Sequence, residues 1–205
     1  MEPMRWAIST EHRFTAPLRD EDVRRLRIGD TVVVDGTLWG IRDATQIRIF
    51  DEGQPPPVDL TGAILLHVAP NVRKTARGYE PMTIGTTTSM RMDRFTDGLL
   101  RDYGVRAIIG KGGLSASSGA AFARHCGVYL AIVGGAASVE TEQVEAIEDV
   151  FWEDLMPECL WKFRVRAFGP LIVGMDAHGG SIYSDVAGRA QERLATIYES
   201  LGIKP

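Results

Sequence analysis

Cysteine and lysine are scarce in this 205-residue chain. The two cysteines, Cys126 and Cys159, form no CxxC and stand at no zinc-ligand spacing. Iron–sulfur clusters need three or four thiolates, so the chain cannot hold one alone. Cys126 sits in an apolar-flanked stretch and reads as a small buried hydrophobe. No apolar run approaches the roughly 20 residues of a membrane span. The N-terminal MEPMRWAISTEHRF lacks an apolar core and reads as no secretory signal, which makes a cytosolic setting the default expectation. A net charge of −4 argues against a general nucleic-acid binder.

Only four of the 23 basic residues are lysines: Lys74, Lys111, Lys162 and Lys204. A GC-rich genome accounts for arginine dominance equally well, yet Lys111, flanked by glycines, stands out. Hydrophobic content of 44% and charged content of 24% are ordinary for a globular protein. The length suits one layered α/β domain spanning residues 1–205.

The apolar periodicity predicts mixed α/β structure. Thr31–Val34 and Leu38–Gly40 read as short strands about an Asp35–Gly36 turn. The proline-rich stretch between Gly53 and Asp59 reads as a surface loop rather than a domain boundary. Ala63–Val68, Arg106–Ile109 and Val128–Val133 read as buried strands. Helices are expected over Arg91–Tyr103, Ser117–His125, from Gly134–Gly135 to about Glu148, and over Val186–Leu201. Leu160–Phe168 and Leu171–Asp176 read as an antiparallel pair about Gly169–Pro170. Strand–helix alternation implies βαβ units and a partly parallel sheet.

Four segments could carry chemistry. Gly85-Thr-Thr-Thr-Ser-Met-Arg91 places hydroxyls and N–H groups before a helix, where anions are favoured, with Arg91 one turn from Thr87. An ordinary threonine N-cap explains one of these hydroxyls. Gly110-Lys-Gly-Gly113 puts Lys111 after a strand, where open α/β sheets bind ligands, and matches neither a Walker A loop nor GxGxxG. A tight turn with an incidental lysine is the plain alternative. Arg42 and Arg48 follow a strand and could clamp carboxylates, or simply pair with Asp43 or Asp51. His178, in Asp176-Ala-His-Gly-Gly180, could act as base or phosphohistidine, though a turn explains it as well. His67 reads as a core or strand-end histidine. Arg42, Thr87, Arg91 and Lys111 together make three cations and a hydroxyl, suited to a small dianion and developing aci-carboxylate charge.

Gly85-Thr-Thr-Thr-Ser-Met-Arg-Met92 followed by Gly110-Lys-Gly-Gly113 resembles the GPTT-x-x-RM and GKG motifs of the class I fumarase family, in its C-terminal part. Ile41-Arg-Asp43 is similar to that family's upstream arginine motif. Phe168-Gly-Pro-Leu-Ile-Val173 and Asp176-Ala-His-Gly179 resemble the closing strands of L(+)-tartrate dehydratase β subunits. The resemblance covers nearly the whole chain and implies a swivelling β/β/α fold. It also implies a heteromeric (α2β2) hydro-lyase acting on a four-carbon or methyl-substituted dicarboxylate such as fumarate/malate or tartrate. A cysteine-bearing α subunit would hold a [4Fe–4S] cluster whose open iron serves as Lewis acid. By position, Thr87 would be the base and Lys111 the charge stabiliser, while Arg42, Arg91 and Thr88 would bind substrate. Two departures touch specificity: Thr86 replaces the motif's proline, and Gln46 stands where the family has histidine. A non-catalytic dicarboxylate-binding module or a phosphohistidine-type swivelling carrier is the rival expectation.

Overall fold

The buried runs expected as strands become the parallel centre of a sheet. The computed structural model describes residues 10–133, 135 and 137–203; most of the stretch read as no secretory signal lies outside these residues. The strands are β1 (Glu11–Thr15), β2 (Thr31–Ile41), β3 (Ile64–His67), β4 (Asn71–Thr75), β5 (Gly78–Thr83), β6 (Ala107–Gly110), β7 (Val128–Ala131), β8 (Val144–Phe151) and β9 (Leu160–Met175). The helices are α1 (Asp20–Arg24), α2 (Asp43–Phe50), α3 (Thr96–Tyr103), α4 (Ala116–His125), α5 (Ala137–Glu142) and α6 (Ile182–Ser200). Seven strands form a sheet in the order β1-β2-β3-β6-β7-β9-β8, and β4 pairs with β5 in a separate hairpin. The pairings β1–β2, β2–β3, β3–β6 and β6–β7 are parallel. β9 runs antiparallel to β7, β8 and β2, and its pairing with β2 closes β2-β3-β6-β7-β9 into a ring.

Side-chain alternation sorts the apolar residues into two cores. Ile64 and Leu66 of β3, Ala107 and Ile109 of β6, and Val128 and Leu130 of β7 face the first core with Trp161, Phe163 and Phe168 of β9. Leu65, Ile108 and Tyr129, the residues between, face a second core with Ile49 of α2, Leu99 and Leu100 of α3, and Phe122 of α4. Both faces of the central strands are thus covered, which is why they are continuously apolar.

Four expectations need correction. Thr31–Ile41 is one strand, not two: Asp35–Gly36 lies in a register shift against β9, with Gly36 at φ +98°. Asp35 is held there by Arg13 (Nε–Oδ2 2.7 Å) and the Ala167 amide (2.8 Å), so the pair serves as a bulge rather than a hairpin turn. Leu160–Met175 is likewise continuous, and Pro170 sits where Val34↔Phe168 steps to Val32↔Leu171, an irregularity that tolerates a missing N–H. The helix expected as far as Glu148 stops at Glu142, and β8 follows. Cross-strand pairing decides this: Glu148 meets Lys162 at 3.2 Å and also Arg164, and Glu145 meets Arg166 at 2.5 Å. Before α3, Ser89–Phe95 forms a 3₁₀ helix rather than the start of an α-helix. The closing helix is present as α6, which is largely exposed, and no helix among the described residues is long and apolar enough to cross a membrane.

Candidate active site

Parallel strands deliver their C-terminal ends to one side of a sheet, and here those ends carry the candidate residues. β2 ends at Ile41, so Arg42 and Asp43 open α2 at that edge. β3 ends at His67, whose carbonyl accepts from the Thr87 amide at 2.8 Å, and Val68 forms a bridge with Thr86. β6 ends at Gly110, and Lys111 bridges Thr88 and accepts from the Ser89 amide at 3.0 Å. The Thr86–Ser89 segment therefore lies between the ends of β3 and β6, with Thr87 bonded to the β3 end and Thr88 bridged to Lys111.

A hydrogen-bonded chain links the arginines to the threonine. Arg91 Nη2 donates to Thr87 Oγ1 at 3.1 Å and to Asp43 Oδ2 at 3.0 Å. Arg42 Nε donates to Asp43 Oδ2 at 3.2 Å and faces Glu158 Oε1 at 3.2 Å. Glu158 also accepts from the Ala44 amide at 2.8 Å, and its carbonyl accepts from Thr45 Oγ1. The one-turn spacing of Thr87 and Arg91 produces the expected contact. Thr88 takes the N-cap position without a side-chain cap bond and is exposed. Among the described residues no ion pair engages Lys111.

Beneath the turn lies a buried polar relay. Tyr129 Oη donates to Ser89 Oγ at 3.0 Å, and Ser89 Oγ meets His67 Nδ1 at 2.9 Å. With the serine proton directed to Nδ1, the imidazole proton sits on Nε2, which is buried with no partner among the described residues. Burial pushes the His67 pKa down to about 3, and the Tyr129 phenol is pushed up by the same cause. Gly110 is required there, since a Cβ would come within 1.8 Å of Ser89 Oγ. Gln46 is fully buried with both amide atoms unpartnered among the described residues.

The remaining candidates lie elsewhere. Arg48 pairs with Asp154 at 2.5 Å, and Asp51 pairs with Arg94, so Arg48 joins no clamp with Arg42. β9 runs antiparallel, pairing Tyr129 with Met175 and Ala131 with Ile172, so the Asp176–Gly180 turn emerges at the opposite sheet end from Lys111. Asp176 organises that turn by accepting the amides of Ile28, His178 and Gly180 at 2.8–3.0 Å. His178 contacts Arg27 and the Arg24 carbonyl there, as a turn residue. Cys126 and Cys159 are both buried, and burial raises both thiol pKa values, that of Cys159 to about 11.

Sequence reading missed Glu158, Ser89, Tyr129 and Glu140. Glu158 reaches Arg42 only because β9 returns antiparallel beside β2, pairing Trp161 with Gly40. No spacing in the chain signals that approach. Ser89 was visible within the threonine-rich motif, but its inward direction follows from the bond of its amide to the Lys111 carbonyl.

Arginine, threonine and lysine thus come together at the carboxyl edge of the sheet, where mixed α/β enzymes place their sites. Comparison with known proteins gives the particular family. Residues 8–186 match the fumarase C-terminus model, and the chain belongs to that family. It is 36% identical to the L(+)-tartrate dehydratase subunit beta of Escherichia coli (strain K12), covering 92% of this chain and 94% of that protein. A provisionally named L(+)-tartrate dehydratase subunit beta of Methanocaldococcus jannaschii is 35% identical over 86% of this chain and 93% of its own length. A provisionally named class I fumarate hydratase of Geobacillus stearothermophilus is 36% identical over 90% of this chain, which spans 36% of that longer protein.

Proposed function

We propose that the chain is the β subunit of a hydro-lyase that adds or removes water at a four-carbon or methyl-substituted dicarboxylate, working with an α subunit. The names of its relatives support the reaction class and the subunit role. The observation that carries the reading is the chain Thr87–Arg91–Asp43–Arg42 at the sheet edge that also bears Lys111. The layout of ring, sheet and helices supports a single swivelling β/β/α domain.

An iron–sulfur cluster does not fit this chain. Its two thiols are buried and held protonated, and no cluster of three His, Cys, Asp or Glu side chains suited to a metal occurs among the described residues. The [4Fe–4S] group that the family resemblance implies would accordingly be held by the cysteines of an α subunit. The steps belonging to this chain are binding and proton handling. Arg42 and Arg91 hold carboxylates, with Thr88 as a further donor. Thr87, as the alkoxide left when its hydroxyl proton passes to solvent, takes the carbon-bound proton in the dehydration direction and so returns to the hydroxyl. A hydroxyl is a weak base at neutral pH, so the guanidinium donated to Thr87 Oγ1 and the nearby ammonium of Lys111 must stabilise developing negative charge.

Anaerobic co-expression with a candidate α subunit, followed by assays on fumarate, mesaconate and tartrate, tests the reading. Activity that requires both chains and falls about 100-fold or more in Thr87→Ala and Lys111→Ala is the expected result. Full activity in both variants would remove the assignment.

A further inference from the structure

A buried carboxylate that none of the steps above uses lies against the site turn. Glu140, on α5, is 2% exposed. Its Oε2 accepts from Thr86 Oγ1 at 2.8 Å and from the Thr86 amide at 3.3 Å. The next residue makes a second latch, for Thr141 Oγ1 accepts from the Ile84 amide at 2.8 Å. Two consecutive side chains of α5 thus hold the segment from Ile84 to Thr86, which leads directly into Thr87. Burying a carboxylate is costly unless donors and a positive charge meet it. Thr86 supplies both donors. Burial raises the Glu140 pKa, while the Thr86 hydrogen bonds and the ammonium of Lys111 oppose that rise.

The residue at position 86 makes this arrangement possible. Proline there would offer neither an N–H nor a hydroxyl, so Glu140 would lose both of its recorded donors. Glu140 and Thr86 therefore form one unit.

We propose that Glu140 is a positioning residue: held by Thr86 and backed by the Thr141 latch on Ile84, it clamps the turn that presents Thr87. The inference rests on the reading of Thr87 given above.

The test uses Glu140→Ala, which removes the clamp, Glu140→Gln, which keeps the shape and an acceptor, and Thr86→Val, which removes only the hydroxyl. In the full-length folded chain, hydrogen exchange at the Thr86 and Thr87 amides is expected to quicken about tenfold or more in Glu140→Ala, and by less in Glu140→Gln and Thr86→Val. In the assembled enzyme Glu140→Ala should lower kcat about tenfold or more with KM within about threefold, and Glu140→Gln should restore part of that loss. Unchanged exchange in folded Glu140→Ala would overturn the proposal, as would an unchanged kcat. If the wild-type assembly hydrates no dicarboxylate while the exchange change is present, the reaction reading falls and the Glu140 clamp stands.

Discussion

One guanidinium nitrogen serves two masters at the sheet edge: Arg91 Nη2 donates to the Thr87 hydroxyl at 3.1 Å and to the Asp43 carboxylate at 3.0 Å. The two hydrogens of that nitrogen point along different directions, so Asp43 fixes the fork that meets Thr87. A lysine ammonium has no planar fork with which to span both partners. Arg91→Lys is expected to cost about tenfold or more in kcat/KM, roughly 1.4 kcal/mol or above. Steady-state kinetics of the assembled enzyme checks this. Thr87→Ser should retain most of the rate, and Thr87→Val should behave as Thr87→Ala.

Glu158 holds Arg42 Nε at 3.2 Å and the first turn of α2 through the Ala44 amide at 2.8 Å. Glu158→Ala removes both contacts and leaves that N–H group without its acceptor. The expected outcome is a loss of about 1–3 kcal/mol in urea melts, together with a higher KM. An unchanged KM would show that Arg42 keeps its place without Glu158.

His67 makes stability depend on pH. Its folded pKa lies near 3, against 6.5 unperturbed, because burial excludes the charged form. Below pH 6.5 the unfolded chain takes up a proton that the folded chain refuses, so this contribution is full above pH 6.5 and is lost as pH falls toward 3. The loss over that window is on the order of 4 kcal/mol. Melts of the wild type and His67→Asn from pH 7 to pH 4 should converge, with the variant losing less stability on acidification. Parallel curves would contradict the assignment of a neutral buried imidazole.

Gly110→Ala drives a methyl toward Ser89 Oγ and the Tyr129 hydroxyl, which lie 1.8 and 3.0 Å from the added carbon. Overpacking of this kind costs about 1–3 kcal/mol. Because the severest clash is with a single side-chain oxygen, Ser89→Ala in the same chain should recover part of it. The two substitutions should thus be less than additive in a double-mutant cycle.

Much of this molecule was legible in the chain. The central strands β3, β6 and β7 declared themselves as short, continuously apolar runs, and Thr87 and Arg91 touch as their spacing requires. The failures share one cause. Asp35–Gly36, Gly169–Pro170 and the stretch after Glu142 carry local signals for turns or helix, yet all lie on or beside β9, whose partners are over a hundred residues away in β2 and 9 to 21 away in β8. Long-range pairing overrode local preference there. The carboxylates of the site escaped notice for the same reason, since Glu158 and Glu140 meet Arg42 and Thr86 only once the ring is closed.

That ring has a mechanical meaning. Arg42 and Lys111 are anchored at the ends of β2 and β6, two members of a hydrogen-bonded circuit that returns on itself through β9. An open sheet can change the spacing of its strand ends by twisting or splaying at an edge, whereas a closed circuit would have to break a ladder to do so. The spacing of the two strand ends is therefore a fixed gauge. On the reading proposed above, substrates of different length or bulk would be fitted by the side chains and turns mounted on these ends rather than by the strands beneath them.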